Sequence, residues 1–198
     1  HSESATLVAP GNRTYDGTAK EATVSYSNGW KGGKLIVDYG SYNNVNVGTV
    51  TASIVKNNKT AVLSYDITAA AVVVTPPVAK ENLIYDGGTK ALVDAGFTTG
   101  GIMQYAIGVS TITAPESGWS TVIPEGSAAG TYYVWYKVVG GINYNSADPA
   151  CITVTIAKAD QTVPVGIGKT DETICKKADG VITGVTAAME YRKDNEDT

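Results

Sequence analysis

The stretch that decides how this chain is divided is Asn82-Leu-Ile-Tyr-Asp-Gly-Gly-Thr-Lys90. A similar stretch occurs earlier as Asn12-Arg-Thr-Tyr-Asp-Gly-Thr-Ala-Lys20. The asparagine, tyrosine, aspartate, first glycine and lysine all recur 70 positions later. A fixed spacing over five identities indicates an internal repeat. Asp-Gly favours a tight reversal of the backbone. The stretch therefore marks the same turn in two copies of one module.

The first copy, module one, alternates apolar and polar residues in four segments, 22–26, 35–39, 50–54 and 63–67. Alternation with a period of two predicts half-buried strands, with one face on a core and one in water. Turn signals separate them at Asn28-Gly29, Gly32-Gly33 and Asn57-Asn58. No segment carries a helical stripe, so we predict an all-β module.

The second copy, module two, shows the same pattern with longer strands. We predict strands over 102–107, 131–139 and 152–156, and a loop over 140–149. Gly48-Thr49 realigns with Gly130-Thr131 at a spacing of 82, so module two holds about a dozen extra residues, which we place within 103–119. Insertions in repeats map to loops, where function varies.

The predicted boundaries are 1–72 for module one, 73–159 for module two and 160–198 for a partial third β module. Pro76-Pro77 predicts a stiff connection between the first two. In the third segment we predict a hairpin turning at Asp179-Gly180 and a strand over 189–193. About 38 residues are too few to bury a core of their own. We therefore expect an incomplete module, and a chain that is a processed fragment of a longer one.

Composition excludes several functions. The net charge of −4 argues against nucleic acid, and no apolar run reaches the length of a membrane span. His1 is the only histidine, which argues against Ser/His/Asp catalysis and histidine-based zinc sites. The carboxylates fall in turns, as at Asp16, Asp86 and Asp179. We predict no enzyme, no cofactor and no metal.

Lysine and cysteine give two further expectations. No apolar strand carries a lysine with a clear acidic partner, so we expect no isopeptide cross-link. Cys151 and Cys175 are too few for a disulfide framework. We expect two separate thiols, the alternative being a pair formed if the third segment folds back on module two.

Tyr15-Asp-Gly-Thr18, Asn46-Val-Gly-Thr49 and Tyr65-Asp-Ile-Thr68 resemble the MBG/YDG family of bacterial surface repeats. Module two, with Leu83-Ile-Tyr-Asp-Gly87 and Ala129-Gly-Thr-Tyr-Tyr-Val-Trp-Tyr-Lys137, resembles immunoglobulin-like repeats of large secreted proteins of anaerobic bacteria. Its Gly130-Thr-Tyr132 also resembles the tyrosine corner that enters strand F of such sandwiches.

The resemblance implies tandem immunoglobulin-like antiparallel β-sandwich modules in an extracellular, cell-surface protein. It implies a non-catalytic stalk or spacer, whose partners are neighbouring repeats of the same polypeptide. Host or dietary glycans and surface proteins are the candidate ligands. The resemblance implies neither nucleic-acid binding nor direct membrane insertion of this segment.

A binding module is the alternative function. If Tyr132, Val134, Tyr136 and Val138 face the core, then Tyr133, Trp135 and Lys137 face outward. Flat aromatic side chains on a sheet stack on sugar rings, so Tyr133, Trp135 and Trp119 are the candidate ligand-binding residues. The competing interpretation, which we favour, is that the insertion folds over this face and covers it. Trp30 is expected to be a loop residue that caps the core of module one.

Overall fold

The computed structural model describes residues 3–190, and within that range it contains strands and turns but no helix. The chain divides into two compact units, His1–Lys158 and Ala159–Thr198. The first unit holds modules one and two. No helix long and apolar enough to cross a membrane occurs among the described residues. The predicted all-β class is confirmed.

Module one contains five strands: β1 (Ala5–Val8), β2 (Thr23–Tyr26), β3 (Gly48–Lys56), β4 (Lys59–Ile67) and β5 (Ala70–Ala71). Two antiparallel pairs make up most of it, β1 with β2 and β3 with β4. Asn57 and Asn58 join β3 to β4 with φ angles of 49° and 62°, the left-handed values that a tight hairpin turn requires.

The core of module one lies where alternation predicted it, on β3, β4 and the start of β2. Its buried members are Ala22, Val50, Ala52, Tyr65 and Ile67.

The segment 35–39, predicted as a strand, forms no ladder. It is attached to β3 by a single bridge, Asp38 to Ser53. On its other side, tyrosine hydroxyls take the place of backbone partners. Tyr26 Oη accepts a hydrogen bond from the Leu35 N–H at 2.8 Å, and Tyr39 Oη accepts one from the Ala22 N–H at 2.7 Å.

The strands of module two are β6 (Val73–Thr75), β7 (Val78–Ala79), β8 (Leu83–Ile84), β9 (Lys90–Ala91), β10 (Val93–Asp94), β11 (Phe97–Thr99), β12 (Gly101–Gly108), β13 (Glu125–Gly126), β14 (Gly130–Gly140), β15 (Tyr144–Asn145) and β16 (Ala147–Ala157). Four of them form one sheet in the order β12–β14–β16–β8, in which β8 is parallel to β16 and the other pairs are antiparallel. Three short antiparallel pairs lie outside this sheet: β6–β11, β7–β10 and β9–β13.

The three long strands predicted in module two are confirmed as β12, β14 and β16, and between them they carry most of a second core. Its buried members are Leu92, Val93, Met103, Tyr105, Val134, Val138, Val154 and Ile156. The two cores share no residue, so each copy of the repeat carries a core cluster of its own within the one compact unit His1–Lys158.

Two predictions about connections in module two are wrong. The loop 140–149 is shorter, because β16 begins at Ala147 and a register shift opposite Tyr136 and Val138 accommodates Pro149, which has no N–H to donate to the ladder. Pro76-Pro77 does not connect the modules. It lies between β6 and β7, which both pair with strands of module two.

The second unit contains β17 (Gly168–Thr170) paired antiparallel with β18 (Val181–Thr183), and all six residues are exposed. The chain reverses near Cys175 rather than at the predicted Asp179-Gly180, because Asp179 instead accepts hydrogen bonds from the N–H and Oγ1 of Thr173. Of the predicted strand 189–193, Met189 and Glu190 are not in a strand and the rest lies outside the described residues.

Candidate functional site

The repeated Tyr-Asp-Gly stretch forms the same local structure twice. Asp16 Oδ1 accepts a hydrogen bond from the Thr18 N–H, and Asp86 Oδ1 accepts one from the Gly88 N–H, each at 2.9 Å. Each aspartate also pairs with the lysine four residues later, Lys20 at 2.5 Å and Lys90 at 2.7 Å. The motif is therefore an ion-paired turn in both copies.

The two copies differ in how deeply the lysine is buried. The side chain of Lys20 is 5% exposed and that of Lys90 is 21% exposed. The hydrogen bond from the lysine ammonium is the main reason that the pKa of Asp16 and of Asp86 lies below its usual value. Lys20 is the buried lysine with an acidic partner that the sequence analysis did not find. Among the described residues, Asp16 is the one carboxylate within ion-pair distance of it.

Asp16→Asn is expected to destabilise the protein more than Asp86→Asn, because it leaves the more deeply buried ammonium without its carboxylate. Both carboxylates have lowered pKa values, so they contribute stability above the usual aspartate value of 3.8 and lose it as the pH falls below that value. Thermal unfolding between pH 2 and 7 tests this, and Asp16→Asn should flatten the acid side of the curve. An equal loss in both variants at pH 7 would contradict it.

Tyr65 forms a hydrogen bond with the repeated turn of module one. It is 4% exposed, and its hydroxyl donates a hydrogen bond to the backbone carbonyl of Lys20. Burial, with a smaller contribution from nearby Tyr39, raises the pKa of Tyr65 to about 12. Tyr65 is therefore bonded to the backbone of the same lysine whose side chain pairs with Asp16.

Tyr65→Phe is expected to remove part of the alkaline sensitivity of module one. The folded chain holds the phenol proton more tightly than the unfolded chain, whose pKa is near 10, so this stability is complete below pH 10 and is lost as the pH rises through 12. The loss amounts to roughly 2 kcal/mol. Urea denaturation at pH 8 and pH 11.5 measures it. A stability difference between wild type and Tyr65→Phe that stays constant over this range would refute the assignment.

The outer face of β14 is where the candidate ligand-binding residues were placed. Trp135 lies opposite Ala106 of β12 and Cys151 of β16, on the side away from Val134. It nevertheless is only 5% exposed. Its indole Nε1 donates to the Ser110 carbonyl at 2.9 Å, in the loop that follows β12. The interpretation that the insertion covers this face is confirmed for Trp135.

Trp119 lies at the other end of the loop that follows β12. Its Nε1 donates to the Pro115 carbonyl at 2.9 Å, and the Lys137 ammonium lies 4.2 Å from the centre of its ring. Trp119 and Tyr133 are half-buried. The structure thus brings the predicted residues to one face but places the loop over the central ring. The binding role of Tyr133, Trp135 and Trp119 stays a prediction.

The contact between the two modules was not foreseen. The loop between β14 and β16 rests on module one, with β15 parallel to β5. Asn143, 9% exposed, is its centre. Its Oδ1 accepts a hydrogen bond from the Val47 N–H at 2.9 Å, its Nδ2 donates to Asn46 Oδ1 at 3.0 Å, and its carbonyl accepts from the Ala70 N–H at 3.0 Å.

Aromatic packing completes this contact, which we call the joint (residues 46–47, 69–71, 143–145 and Tyr15). The rings of Tyr15 and Tyr144 meet edge to face, with centroids 5.4 Å apart. Gly100 lies under the Tyr144 ring, where a Cβ would come within 2.4 Å of it. Tyr15 belongs to the repeated turn, so the motif that starts module one also contacts module two.

The polar contacts of the joint are hydrogen bonds between side-chain and backbone amides, and its two tyrosines contribute ring packing. Both cysteines are free, as expected, with Cys151 half-buried and Cys175 exposed. The described residues include no cluster of three or more side chains suited to a metal ion. No protein-family model, characterised protein or solved structure matches the chain.

Proposed function

We propose that this chain is a segment of a bacterial secreted or cell-surface protein and acts as a non-catalytic spacer of tandem immunoglobulin-like modules. The observation that carries the proposal is the joint. A spacer must hold its modules at a fixed angle, because a flexible connection would let the far end swing and would not set a distance. A strand pairing and hydrogen bonds between modules one and two support such a fixed angle.

The buried Asn143 supports a specific angle rather than general adhesion. Apolar surfaces tolerate sliding, whereas a buried amide left without partners costs free energy. Asn143 finds its partners in module one only when the two modules are in this register. A change of angle would break these hydrogen bonds together.

The immunoglobulin-like part of the proposal is supported by the start of β14. The Tyr132 hydroxyl donates to the Ala128 carbonyl at 2.8 Å and accepts from the Ala128 N–H at 3.1 Å. A tyrosine at the start of a strand that bonds back to the chain a few residues upstream is the feature called a tyrosine corner. Gly126 leaves room for the ring, since a Cβ there would lie 2.6 Å from it.

Pulling the full chain from its two ends in optical tweezers tests the spacer proposal. We expect no reversible lengthening assignable to the joint before a module of the first unit unfolds. Asn143→Ala should introduce such a low-force step, and Asn145→Ala, which removes only an exposed 3.3 Å hydrogen bond, should not. A low-force step of this kind in the wild-type chain would show a hinge, and a hinge cannot act as a fixed spacer.

A further inference from the structure

The end of module one that lies away from the joint carries a groove of about 410 Å³ next to Trp30. Apolar residues from three segments line the groove. They are Ala5 of β1, Leu35 of the segment 35–39 and Ile54 of β3. Lys56 and Lys59, which flank the turn between β3 and β4, line it as well. Cavities of this size accept one small ligand or one or two rings. The groove was not anticipated, because Trp30 was expected to cap the core.

Trp30 is held in place at this groove. Its Nε1 donates to the Gly33 carbonyl at 2.8 Å, and its ring packs on Tyr26 at a centroid distance of 5.1 Å. The Lys56 ammonium lies 3.8 Å from the centre of the Trp30 ring. Gly32 makes this possible, because a Cβ there would lie 1.7 Å from Lys56 Nζ. The loop thus presents an indole and an ammonium together.

The Lys56 ammonium has unused hydrogen-bonding capacity. Its side chain is 30% exposed, and its nearest carboxylate, Glu3, is 3.8 Å away, beyond hydrogen-bond distance. Within residues 3–190 no hydrogen bond from Lys56 Nζ is formed. A largely covered ammonium with free donors favours an anionic ligand, because charge-assisted hydrogen bonds are the strong ones.

The charges of the residues that line the groove also favour an anionic ligand. Two lysines, Lys56 and Lys59, line the groove. Glu3 is the one acid that lines the groove. The chain as a whole has a net charge of −4. A positive groove on an acidic protein concentrates anions locally.

We propose that the Trp30 groove binds an acidic saccharide, a uronic acid unit of a polysaccharide. The carboxylate pairs with Lys56, and the apolar face of the sugar ring packs on Leu35 and the edge of the indole. A saccharide is favoured over an acidic peptide because the groove combines an aromatic ring with apolar side chains. The site is separate from the joint and from the face of β14, so it does not depend on the spacer function.

Isothermal titration of the full chain with a galacturonic acid trisaccharide tests the proposal. We expect a Kd below about 1 mM that weakens as salt is added. Lys56→Met should weaken binding about tenfold, the size expected for loss of one charge-assisted contact. Trp30→Ala should also weaken binding, because it removes the ring against which Lys56 and the sugar pack. Gly32→Ala keeps every charge but displaces the ammonium, so it should weaken binding too. Lys158→Met, an exposed lysine elsewhere, is the control and should bind as wild type does.

Three results would overturn the inference. One is the absence of heat from trigalacturonate at millimolar concentration while the wild type is folded. Another is equal binding of the methyl-esterified trisaccharide, which lacks the negative charge. The third is tighter binding of triglutamate than of trigalacturonate, which would make the groove a site for acidic peptides. Melting curves of each variant ensure that a loss of binding is not a loss of fold, and Lys56→Gln replaces Lys56→Met if that variant unfolds.

Discussion

Asn143→Ala is expected to uncouple the two modules while leaving each of them folded. The substitution removes the side-chain oxygen that accepts from the Val47 N–H and the amide that donates to Asn46. Neither partner belongs to a hydrophobic core. The half-buried Val47 N–H is left without its acceptor, which costs about 1 kcal/mol. Because that cost falls on the joint alone, it weakens the coupling rather than either module.

Differential scanning calorimetry measures the uncoupling. We expect the wild-type first unit to unfold in one transition and Asn143→Ala to separate it into two, because the two cores no longer support each other. Asn145→Ala is the matched control, since it lies in the same loop and loses only a 3.3 Å bond to the Ala69 carbonyl. A single, unshifted transition in Asn143→Ala would mean that the joint carries no energy.

Hydrogen exchange is expected to differ by at least about a thousandfold between the two units. Amides of Tyr132–Val138 lie in the middle of the four-stranded sheet and beside buried Val134, so they exchange only when module two opens globally. For a stability of 5 kcal/mol or more, that opening is slower by about three orders of magnitude or more than local fraying. Amides of β17 and β18 lie in an isolated two-stranded pair whose residues are all exposed.

Mass spectrometry or NMR of the full chain follows both sets of amides in one experiment. The apolar residues of the second unit support the expectation, since Val165 is 87% exposed and Ile174 is 67% exposed. Among residues 159–190, the apolar side chains form no buried core that could protect the hairpin. Equal protection in 168–183 and 132–138 would show that the second unit is stabilised by packing beyond this two-stranded pair.

Local patterns in the sequence were enough to predict the long strands. Alternation in 50–54, 63–67 and 152–156 corresponds to β3, β4 and β16, because side chains of a strand alternate between core and solvent. The turn at Asn57-Asn58 followed from residues that tolerate positive φ. The class of fold was therefore predictable from local rules alone.

Features that depend on distant residues were not predictable in this way. Alternation in 35–39 matches its half-burial, but the segment forms only one backbone bridge, to Ser53. It is otherwise attached by two tyrosine hydroxyls, Tyr26 Oη accepting from the Leu35 N–H and Tyr39 Oη from the Ala22 N–H, which no local pattern encodes. The ion pair of Lys20 with Asp16 did carry a signal, a spacing of four that recurs in module two, and this signal was overlooked. No local sequence signal predicts the joint, because the hydrogen bond between Asn143 and Val47 links residues 96 positions apart.

Distances between spin labels on modules one and two test the central claim most directly. With Cys151 and Cys175 replaced by serine, labels at Val62→Cys and Thr155→Cys occupy exposed positions on β4 and β16. Double electron–electron resonance should give one narrow distance distribution in the wild-type background, and Asn143→Ala should broaden it. A broad distribution in the wild-type background would contradict a fixed joint, and with it the proposal that this segment is a rigid spacer.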